Sequence, residues 1–218
     1  MTFKRVKLLA RGLIILRLFI FAATTCSQAD MVFVLDSSGS ITAQNWELVL
    51  NFTKDVIGNI SEIGPFHTQV AVMSYATRVS NRFNLSTYSN KDDVLNAINI
   101  ENFPWKDEET NTSGALWYMR EKLFSLEYGA REQAPRLGIV LTDGASNRDA
   151  NLTIPYANEA KAASITMISI GVGSETNQAE LSAIATNASY AFQAASFEAL
   201  STINSQVSVA ACDIPVGE

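Results

Sequence analysis

The sequence predicts an α/β fold: a doubly wound, mostly parallel central sheet with one antiparallel edge strand, flanked by helices. Three observations carry this expectation. Short apolar runs alternate with stretches of helical periodicity, the order that parallel strands joined by right-handed crossovers require. Two of the runs end abruptly in an acid with a glycine close behind, at Asp36 and Gly39 and at Asp143-Gly144. Gln69 to Tyr75 and Arg78 to Leu85 are separated only by Ala76-Thr77, which suits a hairpin and puts an antiparallel strand at one edge.

Taken in order, Val32 to Leu35 is the first strand, buried on both faces because it does not alternate. Thr42 can cap a helix in which Trp46, Val49, Leu50, Thr53, Val56, Ile57 and Ile60 recur at helical spacing. Gly64-Pro65 breaks the chain before the hairpin. Lys91 to Ile100 reads as a short helix, and 102–114 reads as a loop around Pro104. A helix marked by Ala115, Leu116, Met119 and Leu123 follows that loop. Arg136 to Thr142 is a second buried strand, followed by a helix over Ile154 to Ala163, a strand over Ile165 to Ile170 and a helix near 177–185. Tyr190 to Phe192 is short enough for an edge strand, and Ser196 can cap a last helix through Phe197, Leu200, Ile203 and Val207.

A chain of 218 residues with 47% hydrophobic content supports one sizeable core and is short for two. The start of the chain differs from the rest. Lys4, Arg5, Lys7 and Arg11 precede the apolar run Leu13 to Ala23, and small polar residues follow, the order of a secretory signal over about residues 1–25. Arg17 inside the run argues against a permanent membrane span. The expected organisation is therefore a signal over 1–25, one domain over 26–212 and a short tail over 213–218. The ionisable residues of the signal are all basic, so its removal takes the chain from a net charge of −6 to a more acidic balance. An acidic secreted domain does not suit nucleic acid or an anionic membrane surface, which call for clustered Lys and Arg.

The cysteines Cys26 and Cys212 bracket the domain, and in an oxidising compartment they can join its two ends; two unpaired thiols are the alternative. Asn51, Asn59, Asn84, Asn111, Asn151 and Asn187 each begin an Asn-x-Ser/Thr sequon, which makes them candidate glycan acceptors in a secreted chain.

Asp36, Ser38 and Ser40 follow the first strand, where ligands bind in open α/β sheets, and their spacing lets alternate oxygens of a short loop point inward. Asp143 ends the other buried strand, and Thr110 or Thr112 can arrive from the intervening loop. Oxygen donors without His or Cys favour Mg²⁺, Mn²⁺ or Ca²⁺, with Mg²⁺ first because it keeps waters and leaves a position for an outside oxygen.

Asp36-x-Ser38-x-Ser40, Thr110-Asn111-Thr112-x-x-Ala115-Leu116 and Leu141-Thr142-Asp143-Gly144 together resemble the metal-ion-dependent adhesion site (MIDAS) of the von Willebrand factor type A family, over roughly Asp30 to Ala210. The resemblance implies that family's Rossmann-like fold and a cation held by Asp36, Ser38, Ser40, Thr110 and Asp143, directly or through water. It also implies a ligand Asp or Glu that completes the shell, and flanking cysteines like Cys26 and Cys212. The implied function is a secreted, cation-dependent adhesion module for an extracellular-matrix or cell-surface protein. The alternative is a matrix-assembly domain whose metal only stabilises it. Glu108-Glu109 stands where the family commonly has glycine, and with Asp107 it places acids beside the site. Trp105, Glu108 and Glu109 are therefore candidate ligand-rim residues. An enzyme is not expected: Ser38 occupies the position where a phosphotransferase needs a second acid, and there is no G-x-S-x-G elbow.

Overall fold

The computed structural model describes residues 28–213. The expected signal over 1–25, Cys26 and therefore the disulfide pairing, and all but the first residue of the expected tail lie outside those residues.

Strands β1 (Asp30–Asp36), β2 (Gln69–Tyr75), β3 (Val79–Phe83), β4 (Arg136–Thr142), β5 (Ile165–Val172) and β6 (Ala191–Ala194) form one sheet in the order β3-β2-β1-β4-β5-β6. All neighbours are parallel except β2 and β3. The order reverses between β1 and β4, where the chain stops building outward on one side and starts on the other. Such a switch point opens a crevice at the carboxyl ends of the strands.

Residues alternate between two cores. Met31, Phe33 and Leu35 of β1 face one side with Trp46 and Val49, from α1 (Thr42–Gly58), and Val207, from α6 (Asn204–Cys212). Val32 and Val34 face the other side with Leu116 of α3 (Thr112–Tyr118) and Ala157 of α4 (Thr153–Ala162). The helices α2 (Lys91–Ala97) and α5 (Gln178–Ile184) complete the two layers. Gly138 of β4 lacks a side chain because the Met119 and Met167 thioethers fill that space.

Some boundaries differ from the sequence expectation. The helix after the long loop begins at Thr112 and not beyond Gly114, because the Asn111 side chain accepts from Gly114 N at 2.8 Å. It gives way to a π-helical turn at Met119–Leu123. The last helix is divided into a 3₁₀ turn, Glu198–Thr202, and α6. Ser201 and Thr202 hydroxyls bond back to the Glu198 and Ala199 carbonyls there, a local competition that weakens a regular helix. Thr42, expected as a cap, is the first residue of α1, with Ile41 in the cap position; its φ is 63°, and its Oγ1 accepts from Asn45 N at a long 3.4 Å.

At the amino ends of the strands, the fully buried Asp30 carboxylate accepts from Arg131 N at 2.7 Å and pairs with the Arg131 guanidinium at 2.7 Å. The guanidinium also donates to Ala29 O at 2.9 Å and Pro65 O at 3.2 Å. Removing one partner of a buried pair strands the other charge, so Arg131→Met is expected to cost about 3 to 5 kcal/mol. Urea denaturation checks this, and Asp30→Asn in the Arg131→Met background should recover part of the loss.

Candidate functional site

Asp36 is the last residue of β1 and is wholly buried. Its Oδ1 accepts from Ser38 N at 2.9 Å, and its Oδ2 accepts from Thr142 Oγ1 at 2.7 Å. The second bond follows from register: Leu35 pairs with Leu141, so the next residues of β1 and β4 meet across the switch point. Asp143 then leaves β4 and accepts from Ser40 Oγ at 2.7 Å, while the Ser38 and Ser40 hydroxyls lie 3.3 Å apart. Asp36, Ser38, Ser40 and Asp143 thus form one hydrogen-bonded oxygen cluster.

Thr110 is brought over this region by its backbone. Its N donates to Asn147 Oδ1 at 2.9 Å, and its carbonyl accepts from Asn147 N and Arg148 N at 3.1 Å and from Ser146 Oγ at 3.3 Å. The next residue, Asn111, donates its N to Ala76 O at 3.0 Å. The loop of 105–109 lies directly on the loop after β1: Lys106 N donates to Ser37 O, and Gly39 N donates to Glu108 O, both at 3.0 Å. A Cβ at Gly39 would sit 2.6 Å from Asp107 Oδ1, the end of an exposed side chain that would have to turn aside, and 3.7 Å from Glu108 O, an ordinary contact.

Among the candidate rim residues, Trp105 is half-buried against the core, and its Nε1 donates to Ser38 O at 3.0 Å. It braces the loop from behind. Glu108 and Glu109 are exposed, and Glu109 pairs with Arg148 at 2.9 Å across the two loops. Asn111 is half-buried, with its Oδ1 capping α3 and its Nδ2 donating to Thr77 O at 3.2 Å.

Three residues beneath the cluster have no role assigned from sequence. Thr142 holds Asp36; Ser37 Oγ donates to Tyr75 O at 2.9 Å; Tyr75 OH meets Thr112 Oγ1 at 3.2 Å. Each sits in or beside an apolar run, and only strand register reveals its role. Thr112 therefore belongs to the polar floor.

The electrostatics follow from burial. Desolvation, opposed by the bonds from Thr142 and Ser38, raises the Asp36 carboxyl from 3.8 to about 6. Desolvation also raises Asp143, and burial with the nearby Asp36 charge pushes the Tyr75 phenol well up. No three His, Cys, Asp or Glu side chains converge among the described residues, so the cluster holds two carboxylates among hydroxyls.

A sequence model of the von Willebrand factor type A domain matches residues 30–206, which includes every residue of this cluster. The chain belongs to the von Willebrand factor type A domain family. It is 31% identical over 188 residues to chicken (Gallus gallus) matrilin-1, spanning 85% of this chain and 37% of that protein. It is 32% identical over 195 residues to the collagen alpha-1(XII) chain of the newt Notophthalmus viridescens, spanning 87% of this chain and 20% of that protein. Proximal thread matrix protein 1 from the mussel byssus, solved with a zinc-occupied MIDAS motif, superposes with a TM-score of 0.78 at 32% identity. That match covers 86% of this chain and 46% of the mussel chain. This type A domain therefore spans less than half the length of each of these relatives.

The raised Asp36 carboxyl gives the fold a pH signature in the absence of a cation. A native pKa above the unfolded value means that the native state holds the proton more tightly. Stability is thus highest below about pH 3.8 for this group and is lost as pH rises to about 6. The loss is about 2 to 3 kcal/mol at about 1.4 kcal/mol per pH unit. Asp36→Asn should remove most of that slope and raise the melting temperature of the cation-free protein at pH 7, as thermal melts across pH 4 to 7 would read.

Proposed function

We propose that this chain is an extracellular protein-binding module that holds a divalent cation at Asp36, Ser38, Ser40, Thr110 and Asp143 and takes an Asp or Glu side chain of a matrix or cell-surface protein there. One contrast carries the reading. Asp30 and Asp36 are both fully buried on β1, yet Asp30 has an arginine and Asp36 has only neutral donors. Among the described residues no Lys, Arg or His forms an ion pair with Asp36. A buried carboxylate left in that state fits a cation supplied from outside the chain.

The donor set fits the same reading. All five side chains offer hard oxygens, which suit Mg²⁺ first and Mn²⁺ or Ca²⁺ next. Two carboxylates balance the formal charge of a divalent cation, and five side-chain donors fall one short of octahedral coordination, which leaves a position for a partner carboxylate. The matrix proteins among its relatives support an extracellular, non-catalytic role in adhesion or assembly. No helix among the described residues is long and apolar enough to cross a membrane.

Secretion brings the sequons into play. Asn51, Asn59, Asn151 and Asn187 are exposed and Asn84 is half-buried, whereas the Asn111 amide is engaged at both atoms. We read Asn111 as a helix cap, so a glycan does not block the site. Site-resolved mass spectrometry of protein secreted from eukaryotic cells should find Asn111 unmodified, and Asn111→Asp, which keeps the cap but loses the donor to Thr77 O, should cost about 1 kcal/mol in urea denaturation.

The decisive experiment is a pull-down from extracellular matrix with Mg²⁺ or with chelator. Retention of partners by the wild type in Mg²⁺, with loss on chelation and in Asp36→Ala while circular dichroism stays native, is the expected result. Capture that survives both treatments would instead favour an assembly domain whose metal is only stabilising. Saturating Mg²⁺ at about 100 times the dissociation constant should also stabilise the wild type by about 2.7 kcal/mol.

A further inference from the structure

Glu180 lies on α5, outside every motif that marks the site. Asn177 Oδ1 caps the helix by accepting from Ala179 N at 3.0 Å and Glu180 N at 3.2 Å, which fixes the first turn. From that turn Glu180 Oε1 accepts from Ser146 N at 3.1 Å. The carboxylate is half-buried, and its charge reaches the Tyr75 phenol beneath Asp36.

Ser146 is the hub of the loop that follows Asp143. It is buried, and its Oγ donates to Thr110 O at 3.3 Å or Arg148 O at 3.1 Å. Asn147 and Arg148 complete the grip on Thr110, through two amides on its carbonyl and one side-chain oxygen on its N. The loop of 144–148 therefore clamps Thr110 on one side and continues from Asp143 on the other. Among the described residues, Glu180 is the acid from a different helix that pins this clamp.

We infer that Glu180 is a positioning residue for the cation site, acting through Ser146 N to hold the loop that sets Thr110 and Asp143 in place; this rests on the proposed cation-binding function. The chemistry required is an acceptor oxygen at the end of a side chain of this length. Glutamine can provide it and methionine, of similar volume, cannot. Both are good helix formers, so α5 is preserved in either variant.

The test uses the folded chain with Mn²⁺ and Mg²⁺ as probes, comparing wild type, Glu180→Met, Glu180→Gln and Asp36→Ala by isothermal titration calorimetry, with circular dichroism to verify folding. Supporting partners of metal ligands typically govern affinity by about 10- to 100-fold. Glu180→Met should weaken cation binding about 10-fold, and Glu180→Gln should return it to within about 3-fold of wild type. Amide hydrogen exchange without cation gives an independent reading: Ser146, Asn147 and Arg148 should exchange faster in Glu180→Met and at the wild-type rate in Glu180→Gln. Wild-type affinity and exchange in Glu180→Met would overturn the inference, as would a Glu180→Gln protein as impaired as Glu180→Met. Should Glu180→Met fail to fold, Glu180→Gln alone decides, since a 10-fold loss there overturns the role of the hydrogen bond. A wild type that binds neither cation, or an Asp36→Ala protein that binds as well as wild type, would overturn the cation site itself.

Discussion

A carboxylate buried at the end of a central strand, without a cationic partner among the described residues, is the constraint around which this domain is arranged. Asp36 has lost its water, and the fold gives it a backbone N–H and a threonine hydroxyl in return. Neutral hydrogen bonds soften the cost of burying a charge without removing it, which is why the carboxyl is raised to about 6. A protein that needed only stability would replace such a group with an apolar one or pair it, as this chain pairs Asp30 with Arg131.

The topology explains how the remaining oxygens reach the same place. Parallel pairing of β1 with both β2 and β4 fixes three strand ends at one level, and the reversal of strand order opens the crevice between β1 and β4. The loops after β1 and β4 and the loop ahead of α3 are then tied to one another by backbone hydrogen bonds. Examples are Gly39 to Glu108, Lys106 to Ser37 and Arg148 to Thr110. Because each loop is braced by the next, the site is a property of the assembled sheet and not of one short motif.

Much of this was legible in the chain because the strands are apolar runs with sharp ends. The fold class, the antiparallel edge, and the placement of Asp36, Ser38, Ser40 and Asp143 at strand ends all follow from that pattern. What escaped was information held in register and tertiary contact. Thr142 stands in a motif without a role until β4 is aligned with β1, and Glu180 looks like any acid on a surface helix until its carboxylate is seen to accept from Ser146 N. Asn111 shows the converse difficulty: Asn-Thr-Ser-Gly satisfies a sequon and a helix cap equally well, and only its half-buried amide separates the two. The split of the last helix at 203 depended on hydroxyls competing for carbonyls, a contest that periodicity does not register.

The acids at 107–109 bear on what kind of partner could approach. Glu108 is held at the rim through its carbonyl, which accepts from Gly39 N, and its side chain is exposed. Glu109 is tied to Arg148, which offsets one charge and links the loop bearing Thr110 to the loop bearing Asp143. Asp107 and Glu108 are left as the net negative rim. At physiological ionic strength exposed charges are screened beyond about 8 Å, so a rim acid within that range of the proposed cation would weaken a bare acidic ligand there. A partner whose coordinating carboxylate is flanked by a basic side chain would meet attraction at both points. On that argument the metal would supply affinity for the carboxylate, and the rim would select its neighbours.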